Sequence, residues 1–317
     1  MRHYQFAYLA STIHPGFLNA PPLASRPDAP VVIAGVAWDG ATTNRPGSRF
    51  GPYAIRRASH MLCDAWHPLY GVSPSATLAD VGDLQLPNTS LAAMRAELEA
   101  AAVELLSRHH VVWLGGDHSI TLSLLRAQRR VVGRPLALVH FDAHCDTWDD
   151  HMGEPSGHGT WLREAIVEQL VDPALCVQYG IRSGAHPSVR DYLPGLGGLV
   201  FGERDLRGQV NAPQLQAHTR EFKRRLEAAG LPPVYLSLDI DCLDPAFAPG
   251  TGTPEPGGLS VSQVLTLLEL LHDVDWVGMD LVEVSPPFDH AELTSNAAAT
   301  LIWNYLSGRM AARATAG

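Results

Sequence analysis

The chain has 317 residues, with 23 Lys+Arg against 33 Asp+Glu and a formal charge of −10 when histidine is neutral. That balance excludes a generic nucleic-acid binder, which needs a basic surface to displace the counterions of a phosphate backbone. With 46% hydrophobic and 18% charged residues, the chain can bury a large core, and wholesale disorder is excluded as well.

Short apolar runs alternate with segments of helical composition. Strands are expected at 31–36 (VVIAGV) and 77–81, then a helix at 90–108, rich in Ala, Leu, Glu and Arg and opened by Thr89-Ser90 as a cap. Strands follow at 111–114 (VVWL), 136–142 (LALVHFD), 176–181 and 198–201, and a helix at 213–229. A strand at 234–241 (VYLSLDID) leads to a helix at 260–272, where Ser260 and Gln263 have the spacing of a capping box. A strand at 275–282 and a last helix from near Ala291 complete the series. Uninterrupted apolar strands between helices indicate a doubly wound α/β fold, with about eight mainly parallel strands and helices on both faces. No Ser/Gly- or Pro-rich tract divides the chain, so residues 1–317 are expected to form one catalytic domain, with 1–30 as an N-terminal extension. In such folds ligands bind beyond the carboxyl ends of the strands.

Cys63, Cys145, Cys176 and Cys242 are widely spaced and form no C-x-x-C, which suggests neither a disulfide framework nor a thiolate zinc site. No secretory signal pattern opens the chain and no 18-residue apolar run occurs, so a soluble cytoplasmic protein without a membrane partner is expected.

The strand ends are where chemistry concentrates. Residues 142–146 read Asp-Ala-His-Cys-Asp, and a period of two puts Asp142, His144 and Asp146 on one side. The strand at 234–241 ends in Asp239-Ile240-Asp241, which repeats that geometry. Carboxylates held this close repel unless a cation lies between them. The strand at 111–114 runs into Gly115-Gly116-Asp117-His118, whose glycines permit close backbone approach and whose histidine can reach the same crevice. Two His and four Asp without thiolate suit a hard or borderline ion such as Mn²⁺. Six ligands exceed one tetrahedral site. Two ions about 3.5–4 Å apart would use them all and ready a water molecule for attack. Either D-x-H-x-D or D-x-D alone is equally at home in a salt-bridged loop; the conjunction with G-G-D-H is what indicates metal. His158, flanked by Gly157 and Gly159, is a candidate proton relay. Glu283, ending MDLVE, brings a further carboxylate to the same sheet edge.

GGDHSI at 115–120, DAHCD at 142–146 and SLDIDCLDPAFAPGTGTPEPGG at 237–258 resemble the three signatures of the ureohydrolase (arginase/agmatinase) family. WDGATTNRPGSRFGPYAIRRAS at 38–59 and VGMDLVEVSPPFD at 277–289 extend the resemblance over nearly the whole chain. It implies an arginase/deacetylase-like fold and a binuclear manganese centre held by His118, Asp142, His144, Asp146, Asp239 and Asp241. It also implies a proton-relay role for His158, a grip by Glu283 on the guanidinium of a small guanidino substrate, and assembly into homo-oligomers, trimers or hexamers. On the residues themselves, a planar cation suits paired hydrogen bonds to a carboxylate. The proton for the departing nitrogen falls to His158 or to Asp146.

IDCLDPAFAPGTGTP and AELTSNAAATL are most similar to agmatinases, which implies hydrolysis of agmatine to putrescine and urea. PEPGG, VEVSPP and GEPSGHGTW also fit guanidinobutyrases and guanidinopropionases, and nickel-dependent hydrolases of guanidine or alkylguanidines would use the same ligands. Asp149, Asp150 or Glu154 would suit the far ammonium of agmatine, whereas Arg182 would suit a carboxylate tail. Two further classes stay open: a deacetylase-like amidohydrolase with a single zinc, and a non-catalytic partner subunit. The glycine-rich GTGTPEPGG lacks both nucleotide-binding fingerprints.

Overall fold

A computed structural model describes residues 16–316. Eight strands form one sheet: β1 (Val31–Val36), β2 (Leu78–Asp83), β3 (His110–Gly115), β4 (Leu136–Phe141), β5 (Val171–Tyr179), β6 (Leu199–Phe201), β7 (Val234–Asp239) and β8 (Trp276–Val282). Their order is β2-β1-β3-β8-β7-β4-β5-β6, and every pairing is parallel. β1, β2, β3, β4 and β7 are buried along their whole length, as uninterrupted apolar runs require when both faces are covered.

The helices in chain order are α1 (Gly51–Ser59), α2 (Leu91–Leu106), α3 (Ile120–Val132) and α4 (Trp161–Val167), then the one-turn α5 (Pro187–Arg190), α6 (Tyr192–Gly195) and α7 (Glu203–Leu206), and finally α8 (Ala212–Ala228), α9 (Val261–Leu270) and α10 (Leu293–Ala316). The α2, α3 and α4 helices pack side by side over one face, where Met94, Leu98, Leu122, Leu125 and Trp161 meet Leu136 and Leu138. α1, α8, α9 and α10 cover the other face, where Ile55, Phe222, Leu267 and Ile302 meet Val139 and Phe141. No helix among the described residues is long and apolar enough to cross a membrane.

The caps fall where the sequence places them. Ser90 Oγ accepts from Ala93 N at 3.3 Å, and Ser260 and Gln263 form a complete capping box. Several boundaries differ for physical reasons. β5 begins at Val171 rather than 176 and stops at Tyr179, because Gly180 turns the chain at φ +100°. β4 stops at Phe141, one residue before Asp142, and β7 stops at Asp239, short of Asp241. The last helix begins at Leu293, not Ala291: Ala291 and Glu292 have φ +51° and +58°, outside the helical region, and Asp289 caps by accepting from Thr294 N and Ser295 N. Of the expected extension 1–30, residues 1–15 lie outside the described part. Residues 16–30 pack against the body: Phe17 is buried and its N–H donates to Asp80 Oδ2 at 2.9 Å, while Leu18 N donates to Ser59 Oγ at 2.8 Å.

At that edge, the buried Arg56 of α1 binds Asp80 through Nε and Nη2 at 2.9 and 3.0 Å and Asp83 through Nη1 at 2.5 Å. Burial opposes its charge, but the two carboxylates prevail and raise its pKa.

Candidate metal centre

The four central strands β3, β8, β7 and β4 are neighbours, and the segments following them carry His118, Glu283, Asp239 with Asp241, and Asp142 with His144 and Asp146. Alternation along a strand is not what aims these groups, contrary to the sequence expectation. Each acidic strand end is instead a local turn. Asp142 Oδ1 accepts from His144 N at 2.6 Å, and Asp239 Oδ1 accepts from Asp241 N at 2.8 Å, the side chain capturing an N–H two residues on. The two turns interlock, since Asp241 Oδ1 accepts from Ala143 N at 3.0 Å. Asp146 sits at φ +52° and accepts from the Trp161 indole through Oδ2 at 2.6 Å. The glycine before Asp117 is required by close approach, because a Cβ on Gly116 would collide with the Trp38 carbonyl oxygen.

All six residues singled out in the sequence come together, in two groups that share Asp142. Around His118 Nδ1 lie Asp146 Oδ2 at 3.1 Å, Asp142 Oδ2 at 3.2 Å and Asp239 Oδ2 at 3.2 Å. Around His144 Nδ1 lie Asp241 Oδ2 at 3.0 Å and Asp142 Oδ1 at 3.3 Å. The donor chemistry tests whether a cation fits. Ser237 Oγ gives its one hydrogen to Asp280 Oδ1 at 2.7 Å, so at 2.8 Å it accepts from His118 Nε2–H. That bond leaves His118 Nδ1 facing three carboxylate oxygens, buried and, among the described residues, without a hydrogen-bond partner. Four acceptors crowded this way need a positive charge among them. Without metal that charge is a proton: burial disfavours the imidazolium, but the carboxylates outweigh it and hold His118 well above the usual histidine range. Burial, with Asp241 and Asp142 beside it, pushes Asp239 well above the usual carboxylate range. The set fits a divalent cation as the alternative occupant, with hard oxygen and imidazole ligands and an oriented histidine.

His158 Nδ1 bonds Glu283 Oε1 at 2.9 Å and its Nε2 lies 2.8 Å from Thr43 Oγ1. Burial works against a charge on this ring, but Glu283 prevails and raises its pKa to about 9. Glu283 is not the end of a strand: β8 stops at Val282, and Glu283 turns at φ +64°. Its Oε1 also accepts from His118 N at 2.9 Å, while its Oε2 is buried without a donor among the described residues. A hollow of about 400 Å³ opens over the centre, lined by His118, His144, Asp146, Asp239 and His158 among others; Asp142, Asp241 and Glu283 lie beneath its wall.

Of the three acids considered for a cationic tail, Asp150 lines this hollow and Asp149 and Glu154 do not. Asp150 stands exposed beside a tight turn in which His151 and Glu154 exchange backbone bonds across Met152 and Gly153, at φ +54° and +92°. Arg182 is not free to meet a carboxylate. Its guanidinium donates to the carbonyls of Gly180, Asp241, Cys242, Leu243 and Glu255, so it ties two loops together.

Sequence reasoning passed over four residues that support the centre: His140, Gln178, Ser237 and Asp280. Their signal was a polar residue inside an otherwise apolar strand, as in LALVHF, which needs a partner once buried. It also passed over Trp161, which donates to Asp146, and Asp117. Asp117 accepts from Ala41 N and Ser119 N and so holds the loop bearing Thr43.

The arginase family's sequence profile matches residues 29–307. An agmatinase of Neisseria meningitidis serogroup C (strain 053442) is 43% identical over 305 residues, 92% of each chain. Among solved structures, a hypothetical agmatinase from Burkholderia thailandensis superposes with a TM-score of 0.85 at 36% identity, covering 97% of this chain and 94% of that one. Proclavaminate amidino hydrolase from Streptomyces clavuligerus gives 0.84 at 37% identity, covering 96% and 100%.

Proposed function

The chain belongs to the arginase family, and from that premise we propose that it hydrolyses agmatine to putrescine and urea, with His118, Asp142, His144, Asp146, Asp239 and Asp241 holding two divalent cations, manganese in the first instance. The observation that carries the substrate assignment is the lining of the hollow. Beyond the proposed ligands Asp146 and Asp239 at its floor, Asp150 stands at its rim, and no Lys or Arg among the described residues lines it. Such a rim suits a ligand whose far end is a cation and, among the described residues, offers no lysine or arginine to the carboxylate tail of guanidinobutyrate or guanidinopropionate. Because Arg182 is engaged by carbonyls, those readings lose their named cation. The relatives named agmatinase support the same choice. Two ligand groups sharing Asp142 favour a pair of ions over the single zinc of a deacetylase-like site.

When bound, such a pair of cations lowers the pKa of water toward neutrality and so supplies the nucleophile. The chain's own residues do the rest. Glu283 Oε2, the buried oxygen without a donor, is the acceptor for guanidinium N–H groups, a charge-assisted bond that orients the carbon for attack. Thr43 N donates to His158 Nε2 at 3.2 Å, which puts the ring's hydrogen on Nδ1 toward Glu283; a second proton, favoured at neutral pH because Glu283 raises the pKa to about 9, goes onto Nε2 when that bond opens. That proton goes to the nitrogen departing as amine. Trp161 keeps the Asp146 carboxylate turned into the centre, where it serves as a ligand and local proton acceptor. We take the described residues as one catalytic domain, acting in the cytoplasm as a homo-oligomer.

The test is a urea-release screen over agmatine, 4-guanidinobutyrate, 3-guanidinopropionate, arginine and guanidine, with Mn²⁺ and with Ni²⁺. Agmatine with Mn²⁺ is expected to give the highest kcat/KM. No urea from any substrate would remove the proposal, and a preference for an acid-tailed substrate would remove its agmatine part.

A further inference from the structure

Register aligns four buried polar residues across four neighbouring strands: Gln178 in β5, His140 in β4, Ser237 in β7 and Asp280 in β8. The row lies one layer below the centre, on the face where Leu136 and Leu138 of β4 meet Trp161 of α4. Burying a polar group in such a layer is unfavourable unless it is hydrogen-bonded, and each of the four is. Gln178 pairs with His140 and Ser237 pairs with Asp280, and then each pair reaches up to one group of the centre. Ser237 holds His118, as described above. His140 Nε2 meets Asp142 Oδ2 at 2.8 Å.

We propose that His140, oriented by Gln178, is a positioning residue that fixes the shared carboxylate Asp142 so that the centre holds two cations rather than one. The inference rests on the proposed two-cation site. Hydrogen bonds set the polarity of the chain. The Gln178 amide nitrogen donates to the Cys145 carbonyl at 2.9 Å, which can only accept, so the Nε2 assignment is fixed. Its second hydrogen faces His140 Nδ1 at 3.0 Å, so Nδ1 accepts. The ring's hydrogen therefore sits on Nε2 and is given to Asp142 Oδ2. The other oxygen, Oδ1, is held by His144 N at 2.6 Å. Pinned from two sides, the carboxylate keeps one oxygen in the His118 group and the other in the His144 group. With Oδ2 released, Asp142 is free to turn and serve one ion with both oxygens. Trp161 packs edge-on against the His140 ring at 5.0 Å, an aromatic neighbour for a phenyl ring in its place.

The test titrates Mn²⁺ into metal-free wild type, His140→Phe, His140→Gln and Gln178→Met by calorimetry, with low-temperature EPR to separate spin-coupled pairs from isolated ions and circular dichroism to check folding. Wild type is expected to take two ions per chain with a coupled signal. His140→Phe should keep the tighter site within about threefold and weaken the other about 10–100-fold, the range for outer partners of metal ligands. Its signal becomes that of isolated Mn²⁺. His140→Gln places an amide donor near the Nε2 position and should restore most of the second site. Gln178→Met leaves the ring in place and should show the same weakening in smaller degree, so the test survives if the phenylalanine variant does not fold. Two intact sites in His140→Phe, or in Gln178→Met should that variant not fold, overturn the proposal, and so does failure of His140→Gln to restore coupling. A wild type that takes up fewer than two ions overturns the two-cation site itself, and this inference with it.

Discussion

Replacing His158 with asparagine removes the ring that carries the proton and keeps a polar side chain in the wall of the hollow. Burial disfavours a charge there, but the bond to Glu283 and that residue's charge raise the pKa to about 9. At pH 7 roughly one ring in a hundred is therefore neutral. A positioned general acid contributes about 10²–10⁴-fold, equivalent to about 3 to 5 kcal/mol of barrier. The expected result is a loss of kcat of that size with KM nearly unchanged, because the proton moves after the substrate is bound. Divalent cations in the centre repel the ring's charge, so the alkaline limb of the wild-type kcat profile lies no higher than about pH 9. That limb should vanish in the variant. Steady-state urea release from agmatine between pH 6 and 10 measures both quantities. A rise in KM alone, or an alkaline limb that persists in His158→Asn, would refute the relay.

The same pair predicts how the metal-free protein responds to pH. A folded pKa of about 9 against 6.5 means that the His158–Glu283 stabilisation is complete below about pH 6.5 and lost as pH rises through about 9. The total is at most about 3 kcal/mol, and His158→Asn should flatten the corresponding fall in Tm of chelator-treated protein. Asp241→Ala removes a partner of both His144 and Thr253. It should abolish turnover and lower the metal content by elemental analysis, with the circular dichroism of the fold retained. Arg56→Met leaves Asp80 and Asp83 buried without their cation and should cost about 3–5 kcal/mol in urea unfolding; a loss under about 1 kcal/mol would mean the pair is solvated. Asp150→Asn at the exposed rim should raise KM for agmatine only a few-fold, in line with about 0.2–1 kcal/mol for exposed ion pairs, and leave kinetics on guanidine unchanged.

Much of the candidate centre was legible because its proposed ligands travel in short segments. D-A-H-C-D and D-I-D each place two or three of them within five residues, and G-G-D-H brings another beside glycines. The expected strand alternation was the wrong reason for their convergence. Asp142 and Asp239 end their strands by capturing an N–H two residues on, and hydropathy carries no trace of such a turn. Arg182 illustrates the opposite difficulty. A lone arginine near a site is equally consistent with reading a substrate and with gathering carbonyls, and only the positions of those carbonyls, from residues as distant as Glu255, decide between them. His140 stood in plain view within LALVHF, but its partner Gln178 lies in another strand.

By itself the sequence determined the class of fold, the strands and their parallel sense, and the helix caps at Ser90 and Ser260, and it supplied the inventory of six candidate ligands with His158 and Glu283. These follow from local composition and from spacing within a few residues. Tertiary structure alone decided that β8 and β7 insert between β3 and β4, which makes the three segments bearing the candidate ligands and the one bearing Glu283 neighbours. It likewise decided the register that lines up Gln178, His140, Ser237 and Asp280. The physical reason is that parallel strands pair across long stretches of chain. VVIAGV, VVWL and LALVHF are almost interchangeable as apolar neighbours, so their order depends on how the whole sheet is buried between its two helical layers.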